Sequence, residues 1–347
     1  MSVRVGVIGV GNIGQEHVRR LTRTVAGAQV VAVTDVDLDR ARSVAEGVPG
    51  ARALPTGQAL IRADDVDGVV VASWGPTHEE YVLAAIEARK PVFCEKPLAP
   101  EVDACLRILD AEMASSRHLV QVGFNRRYDS AYRAMKRTLD GGSLGPPLMA
   151  HCAHRNPSVP PHYVGGMPIT DTAIHEIDIV RWLFDQEITA AQVLKPRKTS
   201  RAKADLQDPL IVLMEIADGA LVDVEVFVNL PYGYDIRCEV VCELGTVALG
   251  DGSLVVLRKD GFRSDHVPDN FQERFERAYD TEFQEWVDSV VAGQATGPSS
   301  WDGYAATAVA DACLAALDSG ARVPVQMRQR PAFYAPAGLR TPVGAGR

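Results

Sequence analysis

The sequence predicts an α/β protein with a doubly wound parallel sheet in its N-terminal part and a second, α+β domain after it. Three observations support this fold class. Strand-like and helix-like segments alternate as far as residue 123, a glycine-rich turn follows the first strand, and strand-like segments follow one another from residue 148 onward. The chain has 347 residues, which is longer than one typical domain, so we expect two domains.

The first turn of the chain is its most informative motif. An apolar run over residues 3–10 leads directly into Gly9-x-Gly11-x-x-Gly14, and the next apolar run ends at Asp35. In a Rossmann unit, such glycines let backbone N–H groups approach a pyrophosphate at a helix N-terminus, and an acid about 20 residues further on bonds the ribose. We therefore expect a dinucleotide rather than an unliganded turn. A carboxylate at position 35 accepts from a ribose 2′-hydroxyl and repels a 2′-phosphate, which favours NAD over NADP.

The other N-terminal elements follow the same alternation. The predicted strands cover residues 29–34, 68–72, 91–94 and 119–123, and the predicted helices cover 12–23, 38–46, 78–88 and 101–115. Strands that alternate with helices in this way predict a parallel sheet with helices on both faces.

The pattern changes after a predicted helix over 129–139, which ends in the breaker run 141–147. Strand-like segments then cover 148–156, 188–194, 210–216, 220–228, 236–242 and 253–258. Asp218-Gly219 and Asp251-Gly252 are hairpin signals, so consecutive antiparallel pairing is the simplest prediction. The predicted units are a nucleotide-binding domain (1–123), an α+β domain (124–330) and an extended or disordered tail (331–347).

Charge and composition exclude several classes of partner. A net charge of −9 repels nucleic acid and anionic lipid, so we expect neither as a partner. No stretch is long enough to span a bilayer and the first residues lack a signal-peptide pattern, so we expect a cytoplasmic protein. The six cysteines include no C-x-x-C pair, which favours reduced thiols over disulfides or a metal site.

A candidate catalytic base lies in the segment 170–178. As a helix, this segment places Asp171, His175 and Asp178 on one face. Alcohol oxidation requires that the hydroxyl proton be removed as hydride leaves the carbon, and a histidine held by a carboxylate is a suitable base. The spacing does not distinguish Asp171 from Asp178 as the residue that orients His175. Such pairs also occur as simple helix N-terminal electrostatics.

Lys96 is a second candidate for chemistry. It follows a predicted parallel strand in Cys94-Glu95-Lys96-Pro97, where open α/β sheets bind their ligands. A solvated lysine at a strand end is the alternative. Trp74 ends the preceding strand in the same way, and it either covers a cofactor ring or serves only packing.

The strand over 148–156 carries candidate substrate contacts. Its period of two places Cys152, His154 and Asn156 on one face and His151 on the other, so the two histidines are not expected to share a metal ion. Polar groups on a face that meets a nucleotide domain suit a polar substrate. Arg126 and Tyr234 are further candidates, with a surface arginine and a core-edge tyrosine as the alternatives.

These motifs together resemble the glucose-fructose oxidoreductase, inositol dehydrogenase and rhizopine catabolism family. The resemblance rests on Gly9-x-Gly11-x-x-Gly14, Glu95-Lys96-Pro97, residues 123–127 and Asp171-x-x-x-His175-Glu176-x-Asp178, and it extends over residues 3–334. The segments 71–79, 152–157, 232–235 and 301–304 resemble those of the family members that oxidise inositol. Asn125 departs from these members, which often carry methionine at this position.

The resemblance implies a Rossmann domain, a C-terminal domain whose large, mainly antiparallel open sheet forms an oligomer interface, and a homotetramer. It also implies NAD-dependent oxidation of the axial hydroxyl of myo-inositol to a ketone, with Lys96, Asp171 and His175 as catalytic residues. The implied substrate-binding residues are Arg126, His154, Asn156, Asp171, His175 and Tyr234. The implied cofactor-binding residues are Gly9, Gly11, Asn12, Ile13, Gly14, Asp35, Ser73, Trp74, His78, Glu95 and Lys96.

Two alternatives to this function stay open. The first is a dehydrogenase of another cyclitol or aldose, such as scyllo-inositol, D-chiro-inositol or glucose. The second is a non-catalytic sugar or cofactor sensor, because a fold alone does not assign a function. The presence of Lys96, Asp171 and His175 together argues against the sensor.

Overall fold

The computed structural model describes residues 2–250 and 256–335 of the chain. Within these residues, the N-terminal region has six strands: β1 (Val3–Ile8), β2 (Ala28–Thr34), β3 (Arg52–Ala53), β4 (Gly68–Val71), β5 (Val92–Cys94) and β6 (Val120–Val122). The helices between them are α1 (Asn12–Arg23), α2 (Leu38–Glu46), α3 (Gly57–Arg62), α4 (His78–Glu87) and α5 (Val102–Ser115). The strands pair in parallel in the order β3-β2-β1-β4-β5-β6. This confirms the predicted doubly wound parallel sheet.

The central strands of this sheet are buried on both faces. All residues of β4, β5 and β6 are buried, because helices cover the sheet from either side. Strands in this setting have continuous apolar sequences, which is why they were predictable. β3 and α3 were not predicted, since two and six residues are too few to show a period.

The C-terminal region is built around a second sheet. Its helices are α6 (Ser130–Asp140), α7 (Ile174–Phe184), α8 (Phe271–Ala292) and α9 (Ser300–Ser319). The described strands are β7 (Pro147–Arg155), β8 (Ile188–Leu194), β9 (Leu210–Ile216), β10 (Leu221–Phe227), β11 (Asp235–Cys242), β12 (Gly245–Ala248), β13 (Val256–Lys259), β14 (Phe262–Asp265) and β15 (Val323–Pro324). Seven of these described strands form one sheet in the order β12-β11-β7-β10-β9-β8-β15. The sheet is mainly antiparallel, as predicted.

The prediction of consecutive antiparallel pairing is wrong at one place in this sheet. β10 and β11 follow each other in the chain, but β7 lies between them and pairs in parallel with β10. His154 on β7 therefore lies opposite Val226 on one side and Ile236 on the other. The hairpin at Asp218-Gly219 does join the antiparallel strands β9 and β10. The inserted strand places His154 near the middle of the sheet.

Three predictions lie wholly or partly outside the described residues. The turn at Asp251-Gly252 and the first part of the predicted strand 253–258 are not described, and the described strand β13 pairs with β14. The predicted tail at 331–347 is described only as far as residue 335. Within this described part, Ala332–Tyr334 form a 3-10 turn, and the buried Tyr334 hydroxyl donates to Glu112 at 2.8 Å.

The helices α8 and α9 are not among the predicted elements. α8 returns to the N-terminal sheet, where Phe283 and Trp286 pack against Phe93 with ring centroids 4.5 and 6.1 Å away. α9 is buried over most of its surface, so its sequence lacks the polar stripe that marks a surface helix. Both helices join the second region to the first.

Among the described residues, no helix has the length and apolar character that crossing a membrane requires. All six cysteines are described, and each is buried and free of disulfide bonds.

Candidate active site

A cavity of about 820 Å³ lies where the carboxyl ends of the parallel strands meet the inner face of the second sheet. The loops after β4, β5 and β6 form one wall. The end of β7, the segment before α7 and the start of α8 form the other. Its lining includes most of the residues predicted to bind cofactor or substrate: Ile13, Ser73, Trp74, His78, Glu95, Lys96, Arg126, His154, Asn156, Asp171, His175 and Tyr234.

The glycine turn beside the cavity has the geometry that a dinucleotide requires. Gly9 has a φ of +88°, and a Cβ there would lie 2.5 Å from the backbone of Ser73. A Cβ on Gly14 would lie 2.0 Å from the carbonyl oxygen of Gly9. By contrast, a Cβ on Gly11, the N-cap of α1, would meet nothing within 4 Å. Gly9 and Gly14 therefore leave no room for a side chain, whereas the N-terminus of α1 at Gly11 is open. A pyrophosphate binds at a helix N-terminus of this kind.

Asp35 follows β2 and is held by the turn itself. Its carboxylate accepts from the N–H of Val10 at 2.8 Å, from the N–H of Asp37 at 2.9 Å and from the guanidinium of Arg40 at 3.0 Å. The side chain is thus fixed at the edge of the cofactor turn. Arg40 is partly exposed at the same place.

Two loops of the cavity wall are tied together by His78. Its ring nitrogens lie 2.9 Å from the carbonyl oxygen of Ser73 and 2.8 Å from that of Pro97. His78 is buried, so its observed contacts position the loops that carry Trp74 and Lys96. Trp74 itself is 78% exposed at the cavity rim, which leaves its ring free to cover a ligand.

Glu95 connects α1 to the lysine loop. The Arg20 guanidinium donates to Nδ1 of His17 at 3.2 Å, so Nε2 of His17 carries the hydrogen and donates to Glu95 at 2.7 Å. The other carboxylate oxygen of Glu95 accepts from the N–H of Lys96 at 3.2 Å. This chain of bonds places the Lys96 backbone relative to the cofactor helix.

Lys96 and Asp171 form an ion pair in the cavity. The ammonium donates to the carboxylate of Asp171 at 2.7 Å and to its backbone carbonyl at 2.9 Å. The lysine side chain is 17% exposed, so it is not the solvated side chain of the alternative interpretation. Burial by itself raises the pKa of Asp171, but the Lys96 ammonium, together with the nearby His154 and His162, keeps the pKa below its usual value.

The segment that carries Asp171 and His175 differs from the predicted helix. Pro168–Ala173 form a π-helical turn and α7 begins at Ile174, so the two residues lie on either side of a junction. A π turn bonds residue i to i+5, and the four-residue spacing therefore does not stack the two side chains. Within the described residues, Asp171 bonds Lys96, and Nδ1 of His175 is buried with no hydrogen-bond partner.

His175 is neutral in this environment. Burial, and then the positive charges of Lys96 and Arg126 and the nearby His154, hold the pKa of His175 well below its usual value. The ring lies in the cavity wall, with its centroid 6.3 Å from that of His154. A neutral imidazole at this place can accept a proton from a ligand.

Asp178 does not orient His175. Its carboxylate accepts from Arg127 at 2.9 Å, and Arg127 also donates to Asp302 at 2.9 Å. Asp178 is buried and does not line the cavity. The spacing left open whether Asp171 or Asp178 orients His175, and the contacts of Asp178 with Arg127 exclude Asp178 from that role.

Arg126 and His154 share a partner that the sequence analysis did not assign, Glu176. The guanidinium of Arg126 donates to the Glu176 carboxylate, and Nδ1 of His154 lies 3.0 Å from the other carboxylate oxygen. Arg126 is only 1% exposed, so it is not a surface arginine. The one sequence signal for Glu176 was its place in the motif after His175.

The remaining cavity wall offers polar atoms without protein partners. Among the described residues, the side-chain oxygens of Asn125 and Asn156 are buried and unbonded. Tyr234 packs edge-on against His154, and burial raises its pKa to about 12, so its hydroxyl stays protonated. His162 also lines the cavity and was not predicted. Unbonded polar atoms of this kind are available to a hydroxyl-bearing ligand.

Two family models match the chain, and their ranges agree with the two sheet-containing regions. Residues 3–124 match the "Oxidoreductase family, NAD-binding Rossmann fold". Residues 136–327 match the "Oxidoreductase family, C-terminal alpha/beta domain".

Known proteins also match over almost the full length. Inositol 2-dehydrogenase 3 from Saccharopolyspora erythraea is 59% identical over 334 residues, which cover 96% of this chain and 98% of the relative. Inositol 2-dehydrogenase from Pseudomonas syringae pv. syringae is 53% identical over 335 residues, which cover 96% and 100%. The crystal structure of myo-inositol dehydrogenase from Lactobacillus casei in complex with NAD(H) and myo-inositol has a TM-score of 0.94 and 39% identity, covering 96% of this chain and 100% of that chain.

Proposed function

We propose that this chain, which belongs to the Gfo/Idh/MocA oxidoreductase family, oxidises myo-inositol to 2-keto-myo-inositol with NAD as its cofactor. One observation carries the proposal: a neutral histidine, a lysine–aspartate pair and unbonded polar oxygens line one cavity next to the NAD-binding turn. Alcohol oxidation needs such a base beside a cofactor.

The residues present fit NAD. The open helix N-terminus at Gly11 suits the pyrophosphate, and Asp35 lies where a ribose hydroxyl binds. When bound, NAD supplies the acceptor for the hydride that leaves the carbinol carbon. Trp74, Glu95 and Lys96 border the same space.

His175 acts as the base in this proposal. Its ring is neutral at pH 7, because its pKa lies well below its usual value. Since Nδ1 is buried, Nε2 is the nitrogen that accepts the hydroxyl proton, and Nδ1 carries the hydrogen of the neutral ring. Lys96 donates to the reacting oxygen, and Asp171 holds the ammonium in place.

The charges of the cavity favour a neutral, hydroxyl-rich substrate. The Lys96 ammonium is paired with Asp171, and the Arg126 guanidinium is paired with Glu176. A phosphate or carboxylate substrate would have to compete with these carboxylates, whereas a cyclitol needs only hydrogen bonds. Asn125, Asn156 and Tyr234 are neutral groups that can form them.

A panel of cyclitols and sugars, assayed with NAD by the absorbance of NADH, tests the function. We expect the highest kcat/KM for myo-inositol. A higher value for scyllo-inositol, D-chiro-inositol or glucose would support the dehydrogenase of another polyol or aldose. Binding of NAD without turnover of any compound would support the sensor.

We expect the protein to prefer NAD to NADP because of Asp35, and Asp35→Asn should reduce this preference. The substitution removes the charge that faces a 2′-phosphate, keeps an acceptor for the N–H of Val10, and leaves Arg40 with only its longer ion pair to Asp37 at 3.7 Å. A charge pair is worth about 1 kcal/mol in water and about 4 kcal/mol near a protein surface at 4 Å, so the ratio of kcat/KM for the two cofactors should fall by about fivefold or more.

Asp39→Asn is the matched control for this comparison. Asp39 is an exposed aspartate of α2 that pairs with Arg42 instead. Its substitution should leave the cofactor ratio unchanged. Equal use of both cofactors by the unsubstituted protein would remove Asp35 from this role.

The homotetramer and the cytoplasmic location stay predictions. Exposed apolar side chains on the strands of the second sheet are what a partner copy would cover: Leu148, Met149, Leu194 and Leu221. The free, buried cysteines suit a reducing compartment.

A further inference from the structure

Three buried polar side chains meet in the wall of the cavity. Arg126 follows β6, His154 lies on β7 and Glu176 lies on α7, and they are only 1%, 3% and 1% exposed. Their sequence positions are far apart, so the fold alone brings them together. Arg126 and His154 border the cavity, and Glu176 lies behind them.

The contacts of the group meet at one atom. Nη2 of Arg126 lies 2.9 Å from Nδ1 of His154, and a carboxylate oxygen of Glu176 lies 3.0 Å from the same nitrogen. Nδ1 of a neutral ring holds either a hydrogen or a lone pair. It can therefore donate to Glu176 or accept from Arg126, but not both.

His154 is neutral, because burial lowers its pKa and outweighs the nearby Glu176 carboxylate. The ring therefore has one N–H, and the choice at Nδ1 sets the state of Nε2. If Nδ1 donates, Nε2 presents a lone pair to the cavity. If Nδ1 accepts, Nε2 presents a hydrogen.

The two partners differ in their other bonds. Within the described residues, that oxygen of Glu176 has no donor other than His154, and a lone pair on Nδ1 would leave a buried carboxylate oxygen facing another acceptor. Arg126 already bonds Glu176 through Nη1 and lies over the ring of Phe275, 5.6 Å from its centroid. Loss of the hydrogen bond to Nδ1 of His154 would therefore cost more free energy at the Glu176 carboxylate than at the Arg126 guanidinium.

We propose that Glu176 is a positioning residue that accepts the Nδ1 hydrogen of His154, so that Nε2 accepts a hydrogen bond from a substrate hydroxyl. This inference rests on the proposed function. His154 then favours a substrate whose hydroxyl at one particular carbon is placed to donate to Nε2. Arg126 serves to hold the Glu176 carboxylate against the ring.

A second arginine–carboxylate pair in the same elements provides the control. Arg126 and Arg127 lie in one 3-10 turn, Asn125–Tyr128, and the Arg127–Asp178 pair joins this turn to α7 as the Arg126–Glu176 pair does. Asp178 is as buried as Glu176, and neither carboxylate lines the cavity. Asp178→Asn therefore breaks a matched buried pair without touching His154.

The first test measures the tautomer in the protein without substrate. ¹⁵N-histidine NMR should show the His154 hydrogen on Nδ1, with the signal assigned by its loss in His154→Asn. In Glu176→Gln the amide oxygen keeps the bond from Arg126 and its NH₂ faces Nδ1, so the hydrogen should move to Nε2. Asp178→Asn should leave it on Nδ1. A hydrogen on Nε2 in the unsubstituted protein overturns the proposal, and this result needs no variant of Glu176.

The second test couples Glu176 to the substrate. In a series of myo-inositol analogues with one hydroxyl replaced by fluorine, which can accept but cannot donate, replacement of the hydroxyl that donates to His154 should lower kcat/KM by about 10- to 100-fold, through KM more than kcat. In Glu176→Gln the same analogue should lose less than about threefold relative to myo-inositol, whereas Asp178→Asn should keep the full loss. An undiminished loss in Glu176→Gln overturns the proposal. Failure of the unsubstituted protein to oxidise any cyclitol would contradict the proposed function instead, and the tautomer measurement would still decide the role of Glu176.

Discussion

Replacing His175 with alanine should lower kcat for myo-inositol by about 10²- to 10⁴-fold, the usual contribution of a general base. The ring is neutral, lies in the cavity wall and, among the described residues, has no protein partner at Nδ1. Two other cavity histidines also have a lowered pKa, but His154 bonds Glu176, and both ring nitrogens of His78 lie within hydrogen-bond distance of backbone carbonyl oxygens. Steady-state kinetics with saturating NAD measures the loss.

The pH profile adds a second signature of His175. A base must be unprotonated, so kcat/KM rises with pH through the pKa of the free enzyme's base. Because burial and neighbouring cations lower the pKa of His175, this limb should lie below pH 6.5, and activity should be lost only as pH falls through that region. The limb should be absent in His175→Ala.

His151→Ala is the control for both measurements. His151 is an exposed residue of β7 on the outer face of the second sheet, where it bonds Asp223. The control should keep the rate and the limb. If His175→Ala also kept both, another group would be the base, and Lys96 would be the first candidate.

The N-terminal half of the site was predictable because its signals are local. Gly9, Gly11 and Gly14 lie within one turn, and Asp35 follows the next strand, so a short segment of chain specifies the cofactor geometry. The structure places the same residues at the open end of α1. Alternating strands and helices then extend the sheet without long-range information.

The pairing of the candidate catalytic side chains was less predictable because it is not local. Lys96 and Asp171 are 75 positions apart, and no periodicity relates them. The i,i+4 rule joined Asp171 to His175, but it holds only inside an α-helix, and the π turn before Ile174 removes that condition. A sequence pattern gives no sign of such a turn.

The strand order of the second sheet was also hard to predict, because it depends on contacts that are not local. The insertion of β7 between β10 and β11 depends on contacts between strands that are about 70 to 90 residues apart, as the pairs formed by His151 and Cys152 show. Hairpin signals can predict only neighbouring pairs such as β9 and β10. Glu176 was missed for a related reason, since its partners come from two other elements.

Replacing Lys96 with alanine should lower kcat by about 10²- to 10³-fold, the usual cost of one donor to a developing oxyanion, with little change in the Kd for NAD. The ammonium is held at 2.7 Å from Asp171 inside the cavity, whereas the backbone N–H that bonds Glu95 is kept in the variant. Stopped-flow or steady-state rates give kcat, and titration calorimetry gives the Kd.

Lys136→Ala is a matched control for this substitution. Lys136 has the same 17% side-chain exposure and a similar ion pair, with Asp140 at 2.6 Å, but it lies on α6 outside the cavity. A general loss of stability would therefore affect both variants. A loss of catalysis should affect only Lys96→Ala.

The effect on the pKa of His175 also distinguishes Lys96→Ala from Lys136→Ala. The positive charge of Lys96 is one cause of the low pKa of His175, so its removal raises that pKa. The acidic limb of kcat/KM in Lys96→Ala should therefore move to higher pH, while in Lys136→Ala it should stay in place. If Lys96 acted only by holding substrate, its removal would raise KM instead of lowering kcat. A variant with an unshifted limb and near-normal kcat would show that Lys96 takes no part in the reaction.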